Sequence, residues 1–374
     1  MDRLRFLKSL DAALGKGLVK LLAGGARAGS KAGRREPREP ARLLVIRPGG
    51  IGDAVLLIPA LRALKKIYPG ARLDLLCEKR NAGVFDFCGA ADAVYLYDSP
   101  GGLVRCLSNS YDAVVDTEQW HRLSAVVARL TGAPVRAGFA TNERAALFTH
   151  TAGYDHDDYE VESFFNLIRP LARQSLFTPE NHFTTESIFR FNPDAPFVET
   201  EADAGGLIDA GGGLAAVFPG ASVRERRWGG RKFGAVAAAL DGRGYGVAIL
   251  GSRADSTDAA EIMRIVPRAA DLTGRTTLAQ CARLLKSCRL LVTADSGLMH
   301  VAAAVGTPTV SLFGSGILKK WAPRGTRHRV ISRRLPCSPC TRFGYTPQCT
   351  VGVKCLSEIT VEEVVESAVS LLST

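Results

Sequence analysis

The stretch LLVTADSGLMHVAAAVGTPTVSLFG, residues 290–314, decides the fold of this chain. It reads as a buried strand, a small-residue turn, a helix and a second buried strand. The predicted boundaries are 290–293 for the first strand, 294–297 for the turn, 298–305 for the helix and 309–313 for the second strand. A strand that feeds a helix through such a turn directs several backbone N–H groups at one point, where the helix dipole favours negative charge. This stretch therefore predicts an α/β fold with an anion site at the turn.

The turn carries the side chains that a bound anionic ligand would need. Ser296 and Gly297 let an anion approach the backbone, and Asp295 can accept hydrogen bonds from hydroxyl groups on the same ligand. His300 follows one helical turn later and should lie near the same mouth. A plainer interpretation is that Asp295 or Ser296 only caps the helix and that His300 packs beside it. We favour the binding interpretation because the other half of the chain holds a matching turn.

The matching turn follows the apolar strand RLLVIR, residues 42–47, and precedes a helix over about 54–68. Its glycines, Gly49, Gly50 and Gly52, follow neither the dinucleotide fingerprint nor the P-loop pattern. The informative residue is Asp53, a carboxylate at the helix N-terminus. As a structural residue it would cap the helix. As a functional residue it could accept a proton from a hydroxyl group held nearby, because the helix dipole keeps it ionised.

A chain of 374 residues exceeds one typical core and predicts two domains. Strands alternate with helices in both halves, which predicts doubly wound parallel sheets. Small or hydroxylated residues follow four strands of the second half, and Ser222 there precedes a cationic run that includes Arg226. We expect these groups at one sheet edge, where ligands bind. The predicted divisions are an extension over 1–41, a first domain over 42–200 and a second domain over 201–374.

The net charge of +11 is concentrated near the N-terminus, because residues 1–42 hold eleven Lys and Arg against four Asp and Glu. This distribution argues against nucleic acid as a partner of the folded part. Residues 2–22 place leucines at helical spacing with basic residues beside them, a pattern typical of a helix at an anionic membrane surface. The alternative is a helix packed on its own protein or on a partner. Residues 23–41 read as a linker.

The nine cysteines are an odd number in a long chain without a secretory signal pattern, which favours a reducing, cytoplasmic setting. No apolar run is long enough to span a bilayer. Cys337, Cys340, Cys349 and Cys355 form a C-x2-C-x8-C-x5-C pattern. This pattern is compatible with a structural zinc site, but we expect free or redox-labile thiols and no bound metal.

Three segments together resemble the family 9 glycosyltransferases, the bacterial heptosyltransferases that extend the lipopolysaccharide inner core. They are RLLVIRPGGIGDAVLLIPALRALKKIYP, YDAVVDTEQWHRLSAVVARLTGAPVRAGF and ADSGLMHVAAAVGTPTVSLFG. The resemblance runs from about residue 42 to the C-terminus. It implies a GT-B fold of two Rossmann-like domains facing a cleft, with the nucleotide-sugar held by the second domain. It also implies inverting transfer from an ADP-heptose-like donor to a lipid-linked saccharide, with no cofactor or metal. The N-terminal helix suggests a peripheral enzyme at the inner face of the membrane, where such an acceptor would be found.

The resemblance assigns a role to several residues. Asp53 matches the general base that activates the acceptor hydroxyl, beside the acceptor-side glycines Gly49, Gly50 and Gly52. Asp295 would hold the donor sugar. The remaining donor-binding residues are Ser222, Arg226, Ser296, Gly297 and His300. Arg226 stands where the family usually has a lysine for the diphosphate, which preserves the charge and changes the geometry.

Two other classes of function remain open at this stage. One is a different GT-B enzyme, either a transferase with another nucleotide-sugar or an epimerase. The other is a non-catalytic module that binds a nucleotide-sugar or a membrane surface. The presence of Asp53 and of two anion-binding turns in one chain favours an enzyme.

Overall fold

The computed structural model describes residues 9–26, 39–86, 88–171 and 213–373. The chain divides into two compact units, Met1–Thr184 and Thr185–Thr374. Each unit contains one six-stranded sheet in which all neighbouring strands run parallel. The predicted α/β class is confirmed. The domain boundary predicted near residue 200 lies outside the described residues, as do residues 27–38 of the linker predicted over 23–41. The first four residues of that predicted linker are helical, because the helix Lys16–Ala26 extends through them.

The strands of the first unit are β1 (Arg42–Arg47), β2 (Arg72–Cys77), β3 (Ala93–Leu96), β4 (Ala113–Asp116), β5 (Val135–Phe139) and β6 (His150–Ala152). Its helices are α1 (Lys16–Ala26), α2 (Ile51–Ile67), α3 (Lys79–Phe85), α4 (Pro100–Leu107), α5 (Arg122–Leu130) and α6 (Glu160–Ile168). The sheet order is β3-β2-β1-β4-β5-β6. The central strand β1 is buried along almost its whole length, as its unbroken apolar run requires of a strand covered on both faces.

The strands of the second unit are β7 (Leu214–Phe218), β8 (Gly246–Ile249), β9 (Ala270–Asp271), β10 (Cys288–Ala294), β11 (Thr309–Phe313) and β12 (His328–Ser332). Its helices are α7 (Gly230–Asp241), α8 (Ser256–Ile265), α9 (Leu278–Ser287), α10 (Gly297–Val305), α11 (Leu318–Trp321), α12 (Lys354–Ser357) and α13 (Val361–Leu372). The sheet order is β9-β8-β7-β10-β11-β12. Helices α7, α8 and α13 pack on this sheet and form its main apolar core.

Both sheets therefore have the strand order 3-2-1-4-5-6 of a doubly wound fold. In this order the winding direction reverses between the first and fourth strands, which are β1 and β4 in one unit and β7 and β10 in the other. Ligands of such folds bind outside the carboxyl ends of these two strands. The topology thus defines one expected binding point in each unit.

The sequence predicted ten of the twelve described strands to within two residues and missed two, and it gave no bounds for several of the helices. β6 has only three residues and lies at the edge of its sheet, inside a segment that looked irregular. β12 is also an edge strand, and most of its residues are only half-buried. An edge strand pairs on one side only and buries less surface, so its apolar signal in the sequence is weak.

The described part of the N-terminal extension, residues 9–26, packs against the first unit. Val19 is 1% exposed and belongs to a small apolar cluster with Ala125, Val126 and Leu147. Asp11 is buried, and its Oδ1 accepts hydrogen bonds from the backbone N–H groups of Arg122 and Leu123, at 2.6 and 2.7 Å. Packing on its own protein was the alternative interpretation of this segment.

Asp11 acts as a cap for α5, because the first N–H groups of a helix have no partner within the helix. Burial alone would raise the pKa of Asp11. The hydrogen bond from His121 and those from the two backbone groups outweigh burial and leave that pKa below its ordinary value. The charged carboxylate is therefore the form that the fold stabilises.

Within the ranges described above, no helix is both long and apolar enough to cross a membrane.

We expect Asp11→Ala to lower the free energy of unfolding of the first unit by about 1 kcal/mol, the usual loss for a helix cap. Because folding lowers the pKa of Asp11, this contribution is complete above the unfolded value of about 3.9 and is lost as the pH falls through the folded value. Thermal unfolding from pH 7 to pH 3 measures the difference between variant and wild type. Lys20→Ala, an exposed position on the same segment, is the control and should change little. Equal midpoints for Asp11→Ala and wild type at pH 7 would contradict the capping role.

Candidate active site

In the first unit, Asp53 lies in the first turn of α2, directly after the glycine-rich turn that follows β1. Its side chain is 24% exposed, so the carboxylate remains accessible. Arg47, the last residue of β1, brings its Nη2 within 3.7 Å of Asp53 Oδ2. The same Nη2 lies 3.7 Å from Oε2 of Glu118, which follows β4. The two strands that flank the reversal point therefore place two carboxylates around one guanidinium.

Arg47 is 1% exposed, and its remaining donors are held by the backbone. Nε donates to the carbonyl of Pro48 at 2.7 Å, and Nη1 donates to the carbonyl of Thr117 at 2.9 Å. Burial alone would lower the pKa of Arg47, but the nearby carboxylates of Asp53, Glu118 and Glu160 outweigh it and raise that pKa. Arg47 is thus a fixed positive charge in this site.

The three acceptor-side glycines occupy different positions in the turn. Gly49 has φ +116°, and a Cβ built on it would lie 2.8 Å from Arg47 Nη2. Gly50 is the N-cap of α2 and has open space around its Cα. Gly52 is already helical. Only Gly49 is therefore required by both its backbone conformation and a close neighbour.

In the second unit, Asp295 directly follows β10 and is 4% exposed. Its Oδ2 forms an ion pair with Arg226 Nη1 at 3.1 Å. Arg226 belongs to the short 3-10 turn Arg224–Arg226 that follows β7. This reversal point, like the first, carries a carboxylate and an arginine from its two flanking segments.

The next arginine in the cationic run has a different function. Arg227 pairs with Asp255 at 2.7 Å and with Asp258 at 2.9 Å, and it donates to the carbonyl of Ala221. It therefore ties the turn to α8. Ser222 is exposed on the same turn, and in the part of the chain that the structure describes no hydrogen bond joins it to the Arg226–Asp295 pair.

The residues after Asp295 begin α10. Ser296 is its N-cap and accepts a hydrogen bond from the backbone N–H of Met299, so the capping interpretation is correct for this residue. Gly297 is the first helical residue and is half-buried. His300 is buried one turn later, and burial lowers its pKa to about 4 against the smaller effect of Asp295. His300 is therefore neutral at physiological pH.

Two residues that the sequence did not single out complete this part of the site. A Cβ on Gly316 would lie 2.0 Å from Asp295 Oδ2, so only glycine leaves room for the carboxylate here. Ser315 is buried, and its Oγ has no hydrogen-bond partner among the described residues. Among the described residues, Arg226 Nε and Asp295 Oδ2 are also buried without a hydrogen-bond partner. The contact that Asp295 Oδ2 does make is the ion pair with Arg226 Nη1. Buried polar atoms of this kind require an explanation, such as a polar ligand or an ordered water.

A signal for the missed residues exists in the sequence. Arg47 and Glu118 stand at the carboxyl ends of apolar strands, and Ser315 and Gly316 follow β11 directly. The rule that polar residues after parallel strands meet at one edge covers all four positions. Their pairings depend on neighbouring strands far away in the sequence and were not predictable.

The cysteine-rich segment packs against the turn at 314–316. The backbone N–H groups of Cys340 and Thr341 donate to the carbonyl of Ser315, at 3.1 and 3.0 Å. Thr341 Oγ1 in turn accepts a hydrogen bond from Arg226 Nη2 at 3.4 Å. The segment therefore helps to hold Arg226 of the Arg226–Asp295 pair in place through Thr341.

All nine cysteines are free thiols. In the described ranges no three His, Cys, Asp or Glu side chains are arranged to hold a metal ion, and the zinc alternative for Cys337, Cys340, Cys349 and Cys355 stays a prediction. Burial first, and then the neighbouring thiols, raise the pKa of Cys340 and of Cys355.

We expect His300 to stay neutral down to about pH 5, because its lowered pKa of about 4 reflects burial. A pH titration of ¹⁵N-labelled protein by NMR measures this, with His300→Gln identifying the signal. The urea-unfolded protein is the control, in which the same residue should titrate near the ordinary value of about 6.5. A midpoint near 6.5 in the folded protein would show that His300 is accessible and charged at mildly acidic pH.

Comparison with known proteins identifies the family of this chain. Residues 102–349 match the model of glycosyltransferase family 9 (heptosyltransferase). Lipopolysaccharide heptosyltransferase 3 of Escherichia coli is 30% identical over 73% of this chain and 83% of its own length. Lipopolysaccharide heptosyltransferase 2 of Escherichia coli K12 is 35% identical, over 78% and 87%. The solved E. coli ADP-heptose lps heptosyltransferase II has a TM-score of 0.66 at 23% identity, over 89% of this chain and 98% of that one, which confirms the predicted GT-B fold. The chain therefore belongs to glycosyltransferase family 9, the heptosyltransferases, and is an enzyme.

Proposed function

We propose that this enzyme transfers a heptose or a related sugar from an ADP-sugar to the lipopolysaccharide core or another lipid-linked saccharide, with inversion and without a metal ion. The observation that carries the proposal is the carboxylate–arginine pair at the reversal point of each sheet, Asp53 with Arg47 and Asp295 with Arg226. Family membership supports heptose transfer in lipopolysaccharide synthesis. The name of the solved relative supports ADP-heptose as the donor.

In the proposed reaction Asp53 is the general base. An acceptor hydroxyl group gives its proton to the Asp53 carboxylate while its oxygen attacks the anomeric carbon of the donor sugar. The bond from that carbon to the diphosphate oxygen breaks, and ADP leaves with the electron pair. The accessibility of Asp53 and its place beside the turn of Gly49, Gly50 and Gly52 suit this role.

The second unit would bind the donor. Asp295 would accept hydrogen bonds from sugar hydroxyl groups, and Arg226 would neutralise the diphosphate. The N-terminus of α10 at Ser296 and Gly297 adds positive potential, as helix N-termini do for phosphates. Ser222 could donate a hydrogen bond from the β7 turn, and neutral His300 would line the site without charge. Positive charge supplied in this way can stabilise a leaving diphosphate without a divalent cation.

The central test measures transfer and donor binding separately. With ADP-heptose and a lipid-linked core acceptor, Asp53→Asn should lower kcat by about 10²- to 10⁴-fold and leave ADP affinity unchanged. Asp295→Asn should weaken donor binding instead. Isothermal titration with ADP, GDP, UDP and CMP, each with magnesium or with EDTA, should give ADP-selective binding. The transfer assay should give the same turnover with magnesium and with EDTA.

Each departure from this result has a distinct meaning. Selective binding of UDP or GDP would replace the donor and keep the transferase. Loss of turnover in EDTA would overturn the metal-independent reaction. Conversion of the nucleotide-sugar without an acceptor would favour an epimerase. Full activity of Asp53→Asn would remove Asp53 from the role of base.

We also propose that the enzyme is cytoplasmic and associates with the inner face of the inner membrane, where a lipid-linked acceptor is found. The exposed side of the helical segment 9–26 supports this, because its Leu14 and Leu21 are 51% and 73% exposed. Leu14 lies in the π-helical turn Asp11–Gly15 directly before α1. Lys16 and Lys20 are exposed on the same segment. Exposed leucines flanked by lysines suit the headgroup layer of an anionic membrane.

Replacing both Leu14 and Leu21 by Glu should reduce co-sedimentation with phosphatidylglycerol-containing vesicles several-fold, because it removes apolar contact and adds repulsion. The double variant should keep its thermal midpoint, since both side chains point away from the cluster around Val19. Val104→Glu, at an exposed apolar position on α4, is the matched control and should sediment like wild type. Unchanged sedimentation of the double variant would show that this helix is not the membrane contact.

A further inference from the structure

Arg47 is a buried charge that neither the sequence motifs nor the roles proposed above explain. A buried arginine is costly unless its donors and its charge are matched. Two backbone carbonyls, those of Pro48 and Thr117, receive its Nε and Nη1 at 2.7 and 2.9 Å. These bonds fix the plane of the guanidinium and leave Nη2 directed at the reversal point of the first sheet.

Nη2 lies between two carboxylates that differ in their other contacts. Glu118 Oε1 accepts hydrogen bonds from the backbone N–H groups of Gln119 and Trp120, at 3.0 and 3.1 Å. Glu118 is buried, whereas the Asp53 side chain is 24% exposed. Glu118 is thus bound to the backbone and serves as a structural counter-charge for Arg47. Asp53 is the carboxylate of this pair that a substrate can reach.

Gly49 makes this arrangement sterically possible. Its φ of +116° is a conformation that side chains rarely adopt, and any Cβ would stand 2.8 Å from Arg47 Nη2. The neighbouring Gly50 has open space instead. Glycine is therefore required at position 49 because the Arg47 guanidinium occupies the space that a Cβ would need.

We propose that Arg47 is a positioning residue that acts through Asp53, holding the carboxylate in place with a fixed opposite charge, and that Gly49 is required because it leaves room for the Arg47 guanidinium. The proposal deepens the function proposed above and rests on Asp53 as the general base. Arg47 itself does not touch the substrate.

Other titratable groups surround the pair and enter its pH dependence. The charges that act on Arg47 come from Asp53, Glu118, Glu160 and Tyr154, which lie on or next to α2, β4 and α6. Tyr154 donates a hydrogen bond to Glu160 Oε2 at 3.0 Å, and burial raises its pKa far above the physiological range. Arg47 is the cation common to these groups, so its loss should disfavour the charged base.

The test compares the pH dependence of kcat/KM for heptosyl transfer in full-length wild type, Arg47→Met, Arg47→Lys and Gly49→Ala. Arg47→Met removes a positive charge beside the base, so the acidic limb of the profile should move to higher pH in this variant. Arg47→Lys should restore part of the shift. Gly49→Ala keeps the charge and displaces the guanidinium, and it should lower kcat by about tenfold with little change in donor KM, as expected of lost orientation.

A second arm separates positioning from structural support. In an Asp53→Asn background, Arg47→Met should cause less than a further twofold loss, because its partner is already gone. Arg144→Lys is the matched control: Arg144 is equally buried, pairs with Asp116 and donates to the Glu118 carbonyl. It should lower the thermal midpoint without moving the acidic limb.

The outcomes distinguish this inference from the proposed function. Equal losses from Arg47→Met in the wild-type and the Asp53→Asn backgrounds, or an unshifted acidic limb in Arg47→Met together with an unchanged kcat in Gly49→Ala, would make Arg47 a purely structural residue. An undiminished rate in Asp53→Asn alone would instead refute the role of the base. If Arg47→Met does not fold, Gly49→Ala and Arg47→Lys decide the question on their own.

Discussion

The structure depends on one constraint: a parallel sheet wound in both directions from its centre must change direction once. At that point two adjacent strands send their following segments to opposite faces, and backbone and side chains at their carboxyl ends are left uncovered. In this chain the constraint acts twice, because both sheets have the same strand order. Each reversal point holds a carboxylate at or just before the start of a helix. Asp53 faces Arg47 from the strand that precedes it, and Asp295 faces Arg226 from the segment that follows the neighbouring strand β7. The chemistry of the two units is thus built on one topological plan.

The two carboxylate–arginine pairs differ in rigidity, and the difference matches the roles proposed for them. Arg47 is 1% exposed and held by backbone carbonyls, whereas the Arg226 side chain is 17% exposed and is held by Asp295 and Thr341. A base must return to the same position in every catalytic cycle, which a fixed charge favours. A cation that meets an incoming diphosphate and later releases it benefits from partners that can be exchanged. In the proposed function, the first unit therefore supplies a preorganised charge and the second unit supplies contacts that a ligand can replace.

Buried elements were predicted well from the sequence, whereas contacts between residues far apart in the sequence were not predicted. The central strands β1 and β10 were predicted because unbroken apolar runs indicate strands covered on both faces. Helix α9 was predicted with correct ends, and its N-terminus carries a capping box of Thr277 and Gln280. The edge strands β6 and β12 were missed because they bury less. Asp53 and Asp295 were singled out as candidates from their local turns. Of their arginines, Arg226 was singled out as a candidate, whereas Arg47 was read only as a strand residue. The ion pairs of Arg227 could not be predicted, because Asp255 and Asp258 lie about thirty positions away in the sequence.

The hydrogen bonds from Arg122 and Leu123 to Asp11 have a consequence for the order of events during synthesis. They join residues 111 and 112 positions apart, so the cap cannot form until most of the first sheet has left the ribosome. At bacterial elongation rates that delay is roughly 5 to 20 s, long compared with the formation of a helix. During this interval the side of the N-terminal helix that carries Val19 has no partner within its own chain. This segment is made well before the residues that it packs on, and until they emerge the nascent chain presents an apolar helix to whatever surface lies near the ribosome.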